Sequence, residues 1–211
     1  MSVLLSRRQT LQLGVVIVGG WAVSQVLPRA SLYERDLSQS GAVERILQGA
    51  GSPTDGPRNA SVRLAVFADY FCPACRRAFP AMEKAVRSDG DVRVIYKDWP
   101  ILGPQSVRAA RLALASAEQG IYSAVHRRLM TGNWINERSL ITDAGGDWKR
   151  VMAYMTANEQ SIAARLHANG RDALEIGLTG TPGYLAGPKL VAGAISESDF
   201  QRLFAHARSA T

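Results

Sequence analysis

Residues 62–90 read VRLAVFADYFCPACRRAFPAMEKAVRSDG, and the order of elements in this stretch decides the fold. VRLAVFAD (62–69) is a run of β-branched and aromatic residues of strand length. The chain then turns at YFCP, and Phe79, Met82 and Val86 recur at helical spacing until Gly90 stops the pattern. Pro73 suits the first helical position, where its missing N–H costs nothing, so Cys72 becomes the N-cap and Cys75 sits one turn inside. Pro80 removes one intrahelical hydrogen bond and predicts a kink. DVRVIYKD (91–98) is a second strand, closing a strand–helix–strand unit whose strands should be parallel.

Working outward, residues 104–176 carry helical patterns almost throughout, each closed by Gly or a polar break. Residues 177–211 add two short strands, around Tyr184–Leu185 and Lys189–Ala192, and a helix over about 196–208. Upstream, GAVERILQG reads as a small helix with Val43, Ile46 and Leu47 on one face, and AGSPTDGPRNAS (50–61) as a loop. The extreme N-terminus pairs Arg7 and Arg8 with an apolar run over 11–23 and small residues at Ala22-Val23-Ser24, the pattern of an export signal by a general secretory or twin-arginine route. An uncleaved inner-membrane anchor is the alternative, although the run falls short of the ~20 residues a spanning helix needs. The expected organisation is therefore 1–24 signal, 25–61 helix and linker, 62–103 first part of the α/β body, 104–176 inserted helices, and 177–211 second part.

The 211 residues are 46% hydrophobic and carry a formal charge of +7, enough apolar content for a sizeable core. Loss of residues 1–24 removes two arginines and no acid, leaving +5. The basic residues are scattered and accompany no zinc-finger or RNA-binding motif, so no nucleic-acid partner is expected.

Cys72 and Cys75 are the only cysteines. As a structural staple, a bridge over so short a loop contributes only about 2 kcal/mol before strain. Structural zinc needs four ligands where this pair supplies two, and His126, His167 and His206 stand apart on helical segments; copper(I) accepts two thiolates and stays open. Redox work fits best. A thiolate at a helix N-terminus is stabilised by unpaired N–H groups and the helix dipole, and a second thiol one turn on resolves the mixed disulfide. Export favours this reading, because disulfides persist outside the cytosol. Arg76 and Arg77 either add positive potential or are solvated helix charges, and Asp69 is most simply turn chemistry.

Three ordered motifs, VFADYFCPACRRAFP, VIYKDWPILGPQSVRAARLALA and LTGTPGYLAGPKLVAG, make the chain over Val62 to Arg208 resemble the DsbA-like thiol–disulfide oxidoreductases. The resemblance implies an α/β thioredoxin-like fold with a central mixed sheet and an inserted helical domain. It makes Cys72 the exposed nucleophile, Cys75 its buried partner, and Pro73 and Ala74 the active-site loop. Thr181-Pro182 becomes a cis-proline loop whose backbone binds an extended cysteine-containing peptide. It further implies a disulfide-introducing oxidase of the periplasm or cell envelope. That oxidase would use no cofactor or metal and be recycled by a membrane thiol–disulfide partner. A reductase or isomerase of the same fold, or a copper(I)- or client-binding module, is the alternative.

Three departures from the family pattern matter. Val66 stands where many relatives carry a buried acid, leaving water or a group such as Lys97 to take the Cys75 proton. Pro73-Ala74 lacks the histidine of strong oxidants, implying a weaker one. Gly183 replaces a bulkier residue and is expected to loosen the loop. Trp99, Trp134, Trp148 and Tyr154 are read as core or groove lining, Trp99 with some claim to more because it lies in the DWPILGP loop.

Overall fold

The computed structural model describes residues 33–132 and 135–210; the expected signal segment and Trp134 lie outside them. The strand–helix–strand unit forms as read: β3 (Val62–Ala68), a helix over Pro73–Asp89 and β4 (Val92–Asp98), with β3 and β4 parallel from Val62↔Val92 to Ala68↔Asp98. Around it lie β1 (Tyr33–Asp36), α1 (Ala42–Gln48) and β2 (Thr54–Asp55), the central helix being α2. Then follow α3 (Pro104–Ser116), a 3-10 turn (Ala117–Gln119), α4 (Tyr122–Thr131), α5 (Glu137–Thr142), α6 (Trp148–Ala157) and α7 (Glu159–Glu175). The hairpin of β5 (Gly183–Ala186) and β6 (Lys189–Ala192) and the helix α8 (Glu197–Ser209) complete the chain. The sheet is mixed, in the order β1-β6-β5-β3-β4-β2, with every pair except β3–β4 antiparallel.

The period-2 alternation of the strands sends side chains to two faces. Ala65, Phe67, Ile95, Leu185 and Leu190 pack with Ala42, Ile46 and Leu47 of α1, Ala173 of α7, Ile176, Leu178 and Trp99 into one core cluster. Trp99 is thus a core residue. The opposite face carries Val66, Tyr96, Asp98 and Tyr184, and is covered by α2, α4 and α8. Pro80 lies within α2, which continues through it to Asp89, so the expected kink does not end the helix.

Two strands escape the sequence reading. β1 is YERD, without an apolar alternation; it forms because β6 offers an edge and Lys189 pairs with both Glu34 (3.5 Å) and Asp36 (3.3 Å). β2 lies inside the Gly/Pro-rich stretch and pairs with Val94 and Ile95. Gly56 follows it at φ +89°, where a Cβ would meet the Val92 carbonyl oxygen at 2.3 Å, so only glycine lets the chain leave β4 this closely. The segment expected as linker supplies both sheet edges, and the compact unit begins at Tyr33.

Candidate active site

Cys72 caps α2 with extended backbone (φ −74°, ψ 117°), Pro73 following at the first helical position. The Cys75 N–H donates to Cys72 Sγ at 3.4 Å, so the sulfur occupies the place of a capping oxygen. The Thr181 carbonyl accepts from Cys72 Sγ at 3.3 Å across 109 residues of sequence, and the Thr181–Pro182 peptide bond is cis. Thr181 and Pro182 also line a cleft of about 430 Å³ with Gly177–Gly180, Ala192 and Gly193. The fold thus brings together all six residues expected at the site: Cys72, Pro73, Ala74 and Cys75 on one side, Thr181 and Pro182 on the other.

The exposure expected of Cys72 is corrected. Cys72 is not exposed: it is 6% accessible against 2% for Cys75, because the Thr181–Pro182 loop lies over it. What distinguishes the two free thiols is their acidity. Burial works to raise Cys72, but hydrogen bonding by Thr181 and by the Cys75 and Ala74 N–H groups outweighs it, and the thiol is held below its ordinary value. The Thr181 carbonyl contact by itself serves the protonated sulfur; the backbone N–H donors are what favour the thiolate. Burial pushes Cys75 up to about 12, against a backbone hydrogen bond from Asp69 that lowers it. Tyr184, two residues past the cis-proline and paired with Val66 across β3–β5, is raised by burial and then by the charges of Cys75 and Cys72; sequence reading missed it.

The flanking residues resolve in different ways. Asp69 is buried and structural: Oδ1 accepts from Phe71 N–H (2.7 Å) and the Ser106 hydroxyl (2.8 Å), Oδ2 from the N–H groups of Ile101 (2.8 Å) and Leu102 (3.0 Å). Arg76 donates through Nε to the Tyr70 carbonyl at 2.7 Å and lies over the Phe71 ring, while Arg77 is exposed. Lys97 is no helper for Cys75. By strand alternation it shares the face of Phe67, opposite Val66 and Tyr184, and its ammonium is held by Asp172 at 3.1 Å. Gly183 does not loosen its loop: it is buried in β5, and a Cβ there would meet Leu178 Cδ1 at 2.4 Å.

A buried carboxylate does exist on the Val66 face, one strand over. Asp98, at the end of β4, accepts at Oδ1 from the Tyr70 and Tyr122 hydroxyls, both at 2.9 Å. His126 Nδ1 lies 2.9 Å from the Tyr70 oxygen. Because Tyr70 gives its proton to Asp98, His126 must donate from Nδ1, leaving Nε2 unprotonated. Asp98 Oδ2 and His126 Nε2 have no partner among the described residues. Burial raises Asp98 to about 7 against the two phenol hydrogen bonds, and burial, helped by the charge of Arg127, lowers His126 to about 3. His167 and His206 are exposed and remote in sequence from this cluster. Among the described residues no group of three His, Cys, Asp or Glu side chains is arranged to hold a metal ion.

Comparison with known proteins adds to this geometry. The DSBA-like thioredoxin domain matches residues 63–205. A thioredoxin-like oxidoreductase from Silicibacter pomeroyi is 30% identical in structural alignment, with TM-score 0.73, over 82% of this chain and 99% of that one. The thiol-disulfide exchange protein alpha-DsbA2 from Wolbachia pipientis shares the fold at 22% identity and TM-score 0.73, over 80% of this chain and 95% of that one. Among curated sequences, the Na(+)/H(+) antiporter NhaA 3 of Salinispora tropica is 31% identical over 119 residues, which is 52% of this chain and 18% of the antiporter. The chain thus spans less than a fifth of the length of the curated relatives it matches.

Proposed function

The chain belongs to the DSBA-like thioredoxin domain family, and on that premise we propose that it is a thiol–disulfide oxidoreductase, that Cys72 and Cys75 are its redox pair and that it acts as an exported oxidase of cysteine-containing proteins. The observation that carries this reading is the geometry of the pair: Cys72 Sγ caps α2, accepts from the Cys75 N–H at 3.4 Å and lies 3.3 Å from the Thr181 carbonyl, with Cys75 buried one turn on; the thiol acidities, Cys72 held below its ordinary value and Cys75 pushed up to about 12 by burial, agree with it. In the oxidised protein a client thiolate attacks Cys72 Sγ; the Cys72–Cys75 bond breaks, and Cys75 leaves as a thiolate that takes a proton. The client's second thiolate then attacks its own sulfur in the mixed disulfide and expels Cys72 as the stabilised thiolate. Two electrons pass from client to protein. Stabilising the reduced form in this way makes a dithiol oxidising.

The Thr181 carbonyl beside Cys72 and the cleft along residues 177–182 support Thr181 and Pro182 as the strip that receives an extended client backbone. A membrane thiol–disulfide partner returns the protein to the disulfide form. The segment 1–24 supports export; no helix of the described residues is long and apolar enough to cross a membrane. Pro73-Ala74, with no histidine between the cysteines, favours the second reading, a reductase or isomerase of milder potential.

The deciding experiment is the Cys72–Cys75 potential measured against glutathione. Reference dithiols run from about −270 mV for thioredoxin to about −120 mV for DsbA. The oxidase reading expects the upper part of that range, and a value at the thioredoxin end refutes it. Turnover of a dithiol peptide that survives Cys72→Ser refutes the assignment of the nucleophile.

A further inference from the structure

A second cavity, of about 300 Å³, borders the CxxC turn at Phe71, shares no lining residue with the cleft along residues 177–182, and has no part in the chemistry above. Its wall is Phe71, the residue immediately before Cys72. Its floor is Ala109 and Leu112 of α3, Leu129 of α4 and Leu140 of α5, all buried. At the mouth stand Gln105 and the pair Arg108–Glu137, whose bidentate contact leaves no uncompensated charge to hold an ionic group. The volume is at the lower end for a ligand site and suits one large side chain.

The surface around the mouth is also unusual. Five large apolar residues are exposed among the described residues, and four of them, Ile101 (41%), Leu102 (52%), Val107 (38%) and Ile135 (90%), lie within four residues in sequence of a mouth or wall residue. Asp69 fixes the nearest two by accepting from the N–H groups of Ile101 and Leu102 with the carboxylate that also holds Phe71. An apolar surface held rigidly to the reactive turn is ready-made for docking.

We infer that this cavity is a specificity pocket that takes a leucine- or phenylalanine-sized side chain lying two or three residues from the client's reacting cysteine. The inference rests on the redox reading, because tethering is what selects the occupant. Once the client sulfur is bonded to Cys72, residues two or three along an extended chain lie about 7–10 Å away, and Phe71 is Cys72's own neighbour. The pocket is thereby presented with the client at high effective concentration. An aliphatic floor with a neutral mouth favours an apolar side chain over a charged one.

The test compares two synthetic dithiol peptides that differ only in carrying Leu or Ser at those positions. The unaltered protein should oxidise the Leu peptide with kcat/KM about tenfold higher, the fold-change of about 1.4 kcal/mol. The ratio should fall toward one in Ala109→Phe, which fills the cavity from its floor, and in Gln105→Glu, which charges its mouth and serves alone if the first variant does not fold. Equal rates for both peptides in the unaltered protein, or an undiminished preference in the folded variants, would overturn the pocket. So would a concentration-dependent dimer abolished by Gln105→Glu, which would give the cavity to a second copy. No turnover of either peptide is a different failure, one that overturns the redox reading itself.

Discussion

Replacing Asp98 by Asn should change the pH dependence of stability more than the stability at any single pH. Asp98 is fully buried, and burial moves its acidity from the ordinary 3.8 to about 7 against the hydrogen bonds of two phenols. An acid raised on folding is still protonated in the native state at pH values where the unfolded chain has already released the proton. Its contribution therefore becomes unfavourable as pH rises from about 4 through about 7 and is level above that. The move from 3.8 to about 7 makes this about 4 kcal/mol, at ~1.4 kcal/mol per tenfold change in acidity. His126 works the other way: lowered to about 3, it lets the unfolded chain bind the extra proton, so its contribution grows as pH rises from about 3 to about 6.5. In the unaltered protein these two slopes largely cancel between pH 4 and 6.5, and a flat curve would hide both. Asp98→Asn removes one of them. The amide still accepts from both phenols but buries an NH2 where Oδ2 has no partner, costing about 1–3 kcal/mol at acid pH. Urea unfolding of both proteins, oxidised so that the thiols do not titrate, gives the difference directly. Relative to the unaltered protein the variant should gain about 4 kcal/mol between pH 4 and pH 8. A difference that stays constant over that interval would refute the assignment of Asp98 as a carboxyl titrating near neutrality.

Two further outcomes follow from the same geometry. Alkylation of the reduced protein should show Cys72 reacting with a midpoint below the ordinary thiol range, while Cys75 stays inert until about pH 12; in Cys75→Ser the low midpoint should persist, since the backbone N–H groups that favour the thiolate remain. Gly183→Ala should destabilise the protein by about 1–3 kcal/mol in urea melts, because the new methyl has to displace the Leu178 side chain from a packed core, and Gly183→Ala with Leu178→Ala should recover part of that loss.

The parts of the fold legible in the sequence were those set by local pattern. Val62–Ala68 and Val92–Asp98 are apolar runs, Phe79, Met82 and Val86 share a helix face, and Pro73 marks where the helix begins; such signals survive folding because burial rewards the pattern that produces them. β1 was illegible because YERD has no pattern of its own and is a strand only through its pairing with Leu190 and Val191. The cover over Cys72 comes from Thr181, and the Asp98 cluster joins positions 70, 98, 122 and 126 from a turn, a strand end and one helix. No window of sequence contains such a set. A carboxylate ending VIYKD and a tyrosine preceding FCPAC were visible, but that they meet follows only from the Ala68↔Asp98 register of two parallel strands.

That register explains why the helical insertion matters to the reactive turn. β3 ends at Ala68 and β4 at Asp98, side by side, so whatever follows each strand must emerge at the same edge of the sheet. After β3 comes the CxxC turn, and after β4 comes the inserted helical block. The consecutive residues of the turn accordingly engage different parts of that block. Asp69 holds the loop at Ile101 and Leu102 and, through Ser106, the start of α3. Tyr70 reaches Asp98 and the α4 residues Tyr122 and His126, and Phe71 walls the cavity between α3, α4 and α5. Cys72 instead meets Thr181, outside that block. The insertion is therefore the second wall of the turn, and substitutions along Asp69-Tyr70-Phe71 should couple to substitutions in α3 and α4, with non-additive energies of about 0.5–3 kcal/mol in double-mutant cycles.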